Sequence, residues 1–322
     1  MTTPFVLTAR DLAILQSLAD VRYLTAQQLA WMQWPTWWRA MEQAVRDRGA
    51  PRREPRLVRR RLQVLAQQGL IIGVTRTIDR AVTSFHRIPN GHALTQAGAA
   101  LLAAHHPEAL PVRWLHERAK RAASTLEHSL AIGAFYAALR AESSYRAVAL
   151  TAWAADHVLC RDYDSVTVAQ VHHPLPVLAD ASFVLDGTRC FLEIDRGTTS
   201  AEQWRKRALG YQAYLRDPKL SARYGVTSFL VLVVAPTQGR VAAIARAIAS
   251  ACHGHVAPYR FLLEERVHPF QIRRRWQQVS HVELPTRPGG IPTIQFTETV
   301  LWTPRSDQAS AEPGELNRNE GR

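Results

Sequence analysis

Three carboxylates, Asp180, Glu193 and Asp195, stand in and around a short segment that reads as a β-hairpin. Asp186 and Gly187 are a strong turn signal, because a two-residue hairpin turn needs positive φ and Asp-Gly adopts it at low cost. With either Asp186-Gly187 or Gly187-Thr188 in the turn, alternation puts Asp180, Glu193 and Asp195 on one face of the hairpin. Ala181, Phe183, Leu185, Leu192 and Ile194 then share the other, apolar face. Three carboxylates on one face do not all stay charged without a cation or basic partners. Asp180 and Glu193 are candidate ligands for a hard divalent ion such as Mg²⁺, which takes oxygen donors and activates water against a phosphodiester. Without that chemistry no cofactor is expected.

The second group of candidates is basic. A helix is expected from residue 55 or 56 to residue 68, with Pro55 at an early position and Gly69 ending it. Val58, Leu62 and Leu65 form its apolar stripe, and Arg56, Arg59, Arg60, Gln63 and Gln67 share the opposite side. Arg46, Arg48, Arg52 and Arg53 come just before it. Guanidinium groups on a helix face suit duplex DNA: phosphate contacts fix position, and one or two Arg forks on base edges read guanine. The alternative is a solvated arginine face, or a helical unit used for protein contact. Residues 1–125 hold 18 Lys and Arg against 8 Asp and Glu, a balance of +10, whereas residues 126–322 hold 22 against 19, a balance of +3. The positive field, which attracts polyanions, therefore belongs to the N-terminal part. Only three of the 40 basic residues are Lys, so a coding bias explains the choice of Arg but not its clustering.

The elements around the arginines read as a winged helix-turn-helix. Thr8 caps a first helix carrying Leu12, Ile14, Leu15 and Leu18. Thr25 caps a second, with Gln28 as capping-box partner and Leu24 against Leu29 as a hydrophobic staple. After the arginine helix, Leu70-Ile71-Ile72 enters an extended segment that pairs with residues 83–88 as a wing. Thr95 starts a closing helix that runs through Leu102. Residues 33–54, with Trp34, Trp37 and Trp38, are longer than the usual connection between the second and third helices, and an extra helix is expected over 36–48.

Beyond residue 116, a helix over 118–142 carries His128, Ile132, Phe135 and Leu139 on one stripe. Strands are expected over 148–152, 181–185, 189–195, 227–234 and 259–263, with helices over 200–215 and 240–251. This order argues a mixed sheet flanked by helices. On the helix over 200–215, Trp204, Ala208, Tyr211 and Leu215 mark the packing stripe. Lys206 then points away, and Arg207 faces the carboxylates as a further candidate site residue, one that pairs with them but hardly serves as a base. Cys252-His253-Gly254-His255 fits no common zinc spacing and reads as a helix end with solvated His. Arg273-Arg274-Arg275-Trp276 reads as an exposed basic patch, or as a DNA-backbone contact with Trp276 stacking.

At these residues the chain resembles two nested families. Its strand order and the Asp180, Glu193 pair are similar to the PD-(D/E)XK nuclease fold. More narrowly, Leu24-Thr25-Ala26-Gln27-Gln28-Leu29, Leu94-Thr95-Gln96-Ala97-Gly98, His128, Asp180 between Ala179 and Ala181, Glu193-Ile194-Asp195-Arg196-Gly197-Thr198 and the Tyr211, Tyr214 pair resemble the replication-relaxation family. These are bacterial proteins linked to plasmid replication and to relaxation or mobilisation. The resemblance spans roughly residues 7–234. It implies a winged helix joined to a nuclease-like domain. Two positions depart from the nuclease pattern: Asp195 stands where a Lys orients the attacking water, and Ala179 where a Pro precedes the Asp.

The expected architecture is mixed α+β: a winged helix-turn-helix over 1–115, a restriction-endonuclease-like α/β domain over 116–303, and a disordered tail over 304–322. No run of eighteen apolar residues exists and residues 1–9 lack a secretory layout, so a soluble cytoplasmic protein is expected. Cys160, Cys190 and Cys252 are odd in number and dispersed, which fits a reducing compartment. Three functions stay open: a DNA-binding accessory factor of plasmid or mobile-element replication, relaxation or transfer; a metal-dependent DNA endonuclease targeted by the winged helix; and a transcriptional repressor. The expected partner is double-stranded DNA, with a homodimer and replication or mobilisation proteins as further possibilities, and no membrane.

Overall fold

The structure, a computed structural model, describes residues 5–34, 56–74, 91–106, 123–169, 171–287 and 290–302. Its N-terminal elements are α1 (Ala9–Val21), β1 (Leu24–Thr25), α2 (Ala26–Gln33), α3 (Arg56–Gln67), β2 (Ile71–Val74), β3 (Gly91–Leu94) and α4 (Gln96–His105). The caps are those the sequence requires. Thr8 and Asp11 form a capping box on α1, Thr25 and Gln28 form one on α2, and the Thr95 hydroxyl accepts the Gly98 amide at the start of α4. These satisfy amides that a helix start otherwise leaves unpaired. The three strands pair in the order β1-β3-β2, all antiparallel. The strand returning to β2 is Gly91–Leu94, in register from Ile71 against Leu94 to Val74 against Gly91. The strand expected over 83–88 and the extra helix over 36–48 lie outside the described residues.

Gly98 is a packing requirement. A Cβ there would sit 2.0 Å from the Leu70 carbonyl oxygen, so only glycine lets α4 close on the chain leaving α3.

The remaining elements are α5 (Ala123–Tyr145), β4 (Leu150–Ala155), a single turn α6 (Asp156–Leu159), the short pair β5 (Ser165–Val166) and β6 (Leu175–Pro176), β7 (Ala181–Leu185), β8 (Thr188–Ile194), α7 (Ala201–Tyr214), α8 (Pro218–Tyr224), β9 (Leu230–Ala235), α9 (Gln238–Ala251), β10 (Tyr259–Leu263), β11 (Trp276–Glu283) and β12 (Thr293–Thr299). A seven-stranded mixed sheet runs β12-β11-β10-β9-β8-β7-β4. Its centre is parallel, with β9 between β8 and β10, and the other pairs are antiparallel. Parallel neighbours need a crossover, which α7 with α8 and then α9 provide. Leu185 pairs with Thr188, so Asp186-Gly187 is the hairpin turn, at φ of 48° and 80°. The β11–β12 hairpin, α8 and the short β5–β6 pair were not expected from the sequence.

The two faces of the sheet divide as alternation demands. Leu192, Ile194, Phe183 and Leu232 pack under α5, with Phe135 6.1 Å from Phe183 and 6.3 Å from Trp276 by ring centroids. Phe191, Val231 and Val233 pack under α7 and α9 with Trp204, Ala208 and Ile244. The N-terminal unit belongs to the first of these cores, whose cluster runs without a break from Ile14 and Leu62 to Phe135 and Trp276. Gly133 of α5 makes the joint: a Cβ there would lie 2.5 Å from the Tyr23 carbonyl oxygen. Around it Tyr136 donates to Asp20, Trp153 Nε1 donates to the Asp20 carbonyl at 3.3 Å, and Arg22 pairs with Asp156 at 3.0 Å.

The basic run near residue 274 is corrected in part. Trp276 is fully buried and donates to the Ile272 carbonyl, and Arg273 is buried 3.8 Å from Glu142. Only Arg274 and Arg275 are exposed. Trp276 belongs to the core, so it is not available for stacking on bases. Cys252 caps α9, and His253 and His255 are exposed at that helix end.

Candidate nucleic-acid interface and carboxylate cluster

Helix α3 sorts its side chains by the 3.6-residue period. Val58, Leu62 and Leu65 are buried, while Arg56, Arg59, Arg60 and Gln63 are exposed. Arg61 lies between the two faces and turns inward. It donates to the buried Asp11 carboxylate through two nitrogens and to the Val6 carbonyl at 2.9 Å. Against the cost of burial, hydrogen bonds from Arg61 and Thr8 hold the Asp11 carboxyl below its ordinary value. One acid therefore caps α1 and also sets the rotation of α3, which keeps the remaining arginines outward. Arg46, Arg48, Arg52 and Arg53 lie outside the described residues, as do Trp37 and Trp38. Trp34 is buried at the end of α2, with the Arg10 guanidinium 5.0 Å above its ring.

The carboxylates stand where β8 ends and α7 begins. In a sheet with parallel central strands, this is the end where loops and helix starts converge. Glu193 and Asp195 face α7, whereas Asp180, just ahead of β7, reaches across to α5, and each of the three has its own basic partner. Asp180 accepts from the Ile194 amide at 2.7 Å and pairs with His128 Nε2 at 2.9 Å. Glu193, 1% exposed, contacts the Arg207 guanidinium through one oxygen and accepts from the Tyr211 hydroxyl at 2.7 Å through the other. Asp195 accepts from Arg240 Nε at 2.8 Å and Nη2 at 2.7 Å, from Trp204 Nε1 at 2.9 Å and from the Gly197 amide at 2.6 Å. Lys206 points away and lies 3.6 Å from Glu202.

Electrostatics follow from these partners. Burial, reinforced by the charge of Asp180 and opposed by Arg207, pushes the Glu193 carboxyl up to about 7. Burial also disfavours the charge of Asp195, yet hydrogen bonds from Arg240, Trp204 and the Gly197 amide outweigh it and lower its pKa. Burial disfavours the His128 imidazolium, but the hydrogen bond and charge of Asp180 prevail and raise it.

Asp195 fills its acceptor positions with Arg240, Trp204 and the Gly197 amide, while Glu193 accepts from Arg207 and Tyr211 and Asp180 from His128 and the Ile194 amide, so a divalent ion at this cluster would compete with basic partners already in place. Among the described residues no group of three or more His, Cys, Asp or Glu side chains is arranged to hold a metal ion. Arg240 neutralises Asp195. The sequence pointed to Arg207 but not to Arg240, and it marked Tyr211 as a packing residue and a family-like position, not as a partner of Glu193. Tyr211 stands four residues after Arg207, which puts both on one helix face; Arg240 is 45 residues from Asp195 in the chain and carries no local signal.

No helix among the described residues is long and apolar enough to cross a membrane. No curated protein and no solved structure matches the chain. A family model described as replication-relaxation matches residues 15–230, from within α1 to the first residue of β9, and so takes in α3 and all three carboxylates. That span exceeds half of the 322 residues, and the chain therefore belongs to the replication-relaxation family.

Proposed function

We propose that the protein is a duplex-DNA-binding accessory factor in plasmid or mobile-element replication, relaxation or transfer, whose N-terminal unit docks as a winged helix with α3 in the major groove. The observation that carries this reading is the exposed row of Arg56, Arg59, Arg60 and Gln63 on a helix whose other face is core. A helix presenting several guanidinium groups at this spacing neutralises phosphates on both sides of a groove and leaves one or two forks for base edges. Arg46, Arg48, Arg52 and Arg53 add phosphate contacts in this reading. The sheet domain then holds α3 in place through the shared core and contributes no bond-breaking chemistry.

A metal-dependent nickase is the competing reading, suggested by the acid pair Asp180 and Glu193, and the basic partners His128 and Arg207 that already engage that pair weigh against it. Incubation of a supercoiled plasmid with the protein and Mg²⁺ or Mn²⁺ separates the two. The proposed function predicts retarded mobility with strands intact. Nicking that disappears in Glu193→Ala would overturn it. A footprint over an origin or transfer region supports the replication or transfer role, whereas one confined to a promoter supports repression.

A further inference from the structure

The seven-stranded sheet ends in two edge strands, β4 and β12, and the fold treats them differently. An edge offers a row of unpaired N–H and C=O groups, which proteins blunt with bulges, charges, prolines or a covering element. β4 is blunted twice. Its register shifts between Thr151 and Ala154, with Ala152 at a φ of 51°, and the N-terminal unit packs against it, Trp153 Nε1 donating to the Asp20 carbonyl.

β12 carries none of these devices. Its seven residues have no strand on their outer side among the described residues. They include no proline, lysine or arginine, and their single charge is Glu298. The bulge in the β11–β12 hairpin is at Ser280, on β11, so β12 itself runs regular. Apolar side chains are also left open along it. Ile294 and Phe296 are only half-buried, although both pack on the core beneath α9. Ile291, 76% exposed, and Val300, 48% exposed, flank the two ends of the strand.

The strand is complementary to itself. Antiparallel pairing about a two-fold axis at Phe296 uses all seven residues, and residues directly opposite each other share a face of the sheet. Phe296 then meets Phe296, Ile294 meets Glu298, and Gln295 meets Thr297, so no like charges stand opposite. Continued past the strand ends, the same register sets Ile291 opposite Leu301 and Val300 opposite Pro292. Each flanking apolar side chain gains an apolar neighbour.

We infer that β12 pairs edge to edge with β12 of a second copy of this chain, joining two seven-stranded sheets across an isologous interface. The inference is independent of DNA binding.

Sedimentation equilibrium of the full chain tests it. The expected result is a dimer with a dissociation constant on the order of 10 μM or tighter. Gln295 and Thr297 are exposed, so charges placed there leave the fold of the single chain intact. Gln295→Glu combined with Thr297→Glu sets two like-charge pairs across the axis and should weaken the dimer about tenfold, although it lowers the net charge of +13 that makes two copies repel. Gln295→Lys combined with Thr297→Glu sets opposite charges at the same places and should restore it. A chain that stays monomeric at about 100 μM overturns the proposal and would point to residues 303–322 of the same chain as the cover of this edge. A folded double-Glu variant that dimerises as tightly as wild type, or a Lys-Glu variant no tighter than the double-Glu one, overturns it as well.

Discussion

Helix α3 and the hairpin β7–β8 both concentrate charge, and they treat it in opposite ways. Arg61 of α3 turns inward to the buried Asp11, while Arg56, Arg59 and Arg60 are exposed. At the end of β8 each acid has a basic partner within the fold, and Glu193 and Asp195 are almost fully buried. A binding surface must keep its charge available, because the energy of releasing counterions from DNA is gained only when phosphate and guanidinium meet on docking. A buried cluster must do the reverse, since an unmatched ion in a low-dielectric interior costs several kcal/mol. Under the proposed function, the first region serves recognition and the second structural support.

The largest expected effect comes from breaking the joint between them. Gly133→Ala drives a methyl group into the Tyr23 carbonyl, and overpacking against backbone costs about 3 kcal/mol or more. Thermal unfolding of this variant should occur at lower temperature and lose its single transition; an unchanged melt would mean that the two units do not depend on the shared core. Asp195→Ala comes next. It strands Arg240 and the buried Trp204 N–H and should cost about 2 to 3 kcal/mol, measured by urea denaturation, with no comparable loss for Arg56→Ala. Equal losses in the two variants would erase the distinction between the regions.

A smaller effect is tied to pH. Glu193 has its folded pKa raised, so its neutral form favours the fold, and ionising it costs stability as pH rises from its ordinary value near 4.5 toward about 7. Stability in that window should fall by at most about 1.4 kcal/mol per pH unit from this one group. Glu193→Gln, which keeps an acceptor for Tyr211, should remove that slope. His128 adds a loss of the same sign at higher pH, because its raised pKa means that the charged pair with Asp180 is present below the ordinary histidine value and disappears as pH climbs through the raised one. A Glu193→Gln profile parallel to wild type throughout would contradict the matched-charge description.

Local signals made much of this legible. The caps at Thr8, Thr25 and Thr95, the buried stripe of α3, the Asp186-Gly187 turn and the inward aim of Arg207 all follow from periodicity or from a few neighbouring residues. What escaped depends on distance along the chain. The Asp195–Arg240 pair joins two crossover segments, and the Asp11–Arg61 pair joins α1 to α3, so neither leaves a mark in any short window. The β11–β12 hairpin was hidden for a different reason: Arg273-Arg274-Arg275 reads as solvated surface, although Arg273 turns inward beside Glu142. The alternation of Ile294 and Phe296 with polar residues was the signal available for β12.

The central claim concerns the exposed side of α3, and replacing Arg56, Arg59 and Arg60 together by Ala tests it most directly. All three side chains are exposed, and their replacement should change stability by less than about 0.5 kcal/mol each. Duplex affinity, followed by fluorescence anisotropy across a salt series, should fall roughly 100-fold near physiological salt. The slope of log affinity against log salt should shrink by up to about 2.7, at about 0.9 for each lost phosphate contact. A folded triple variant that binds duplex DNA with undiminished affinity and an unchanged salt slope would contradict the account.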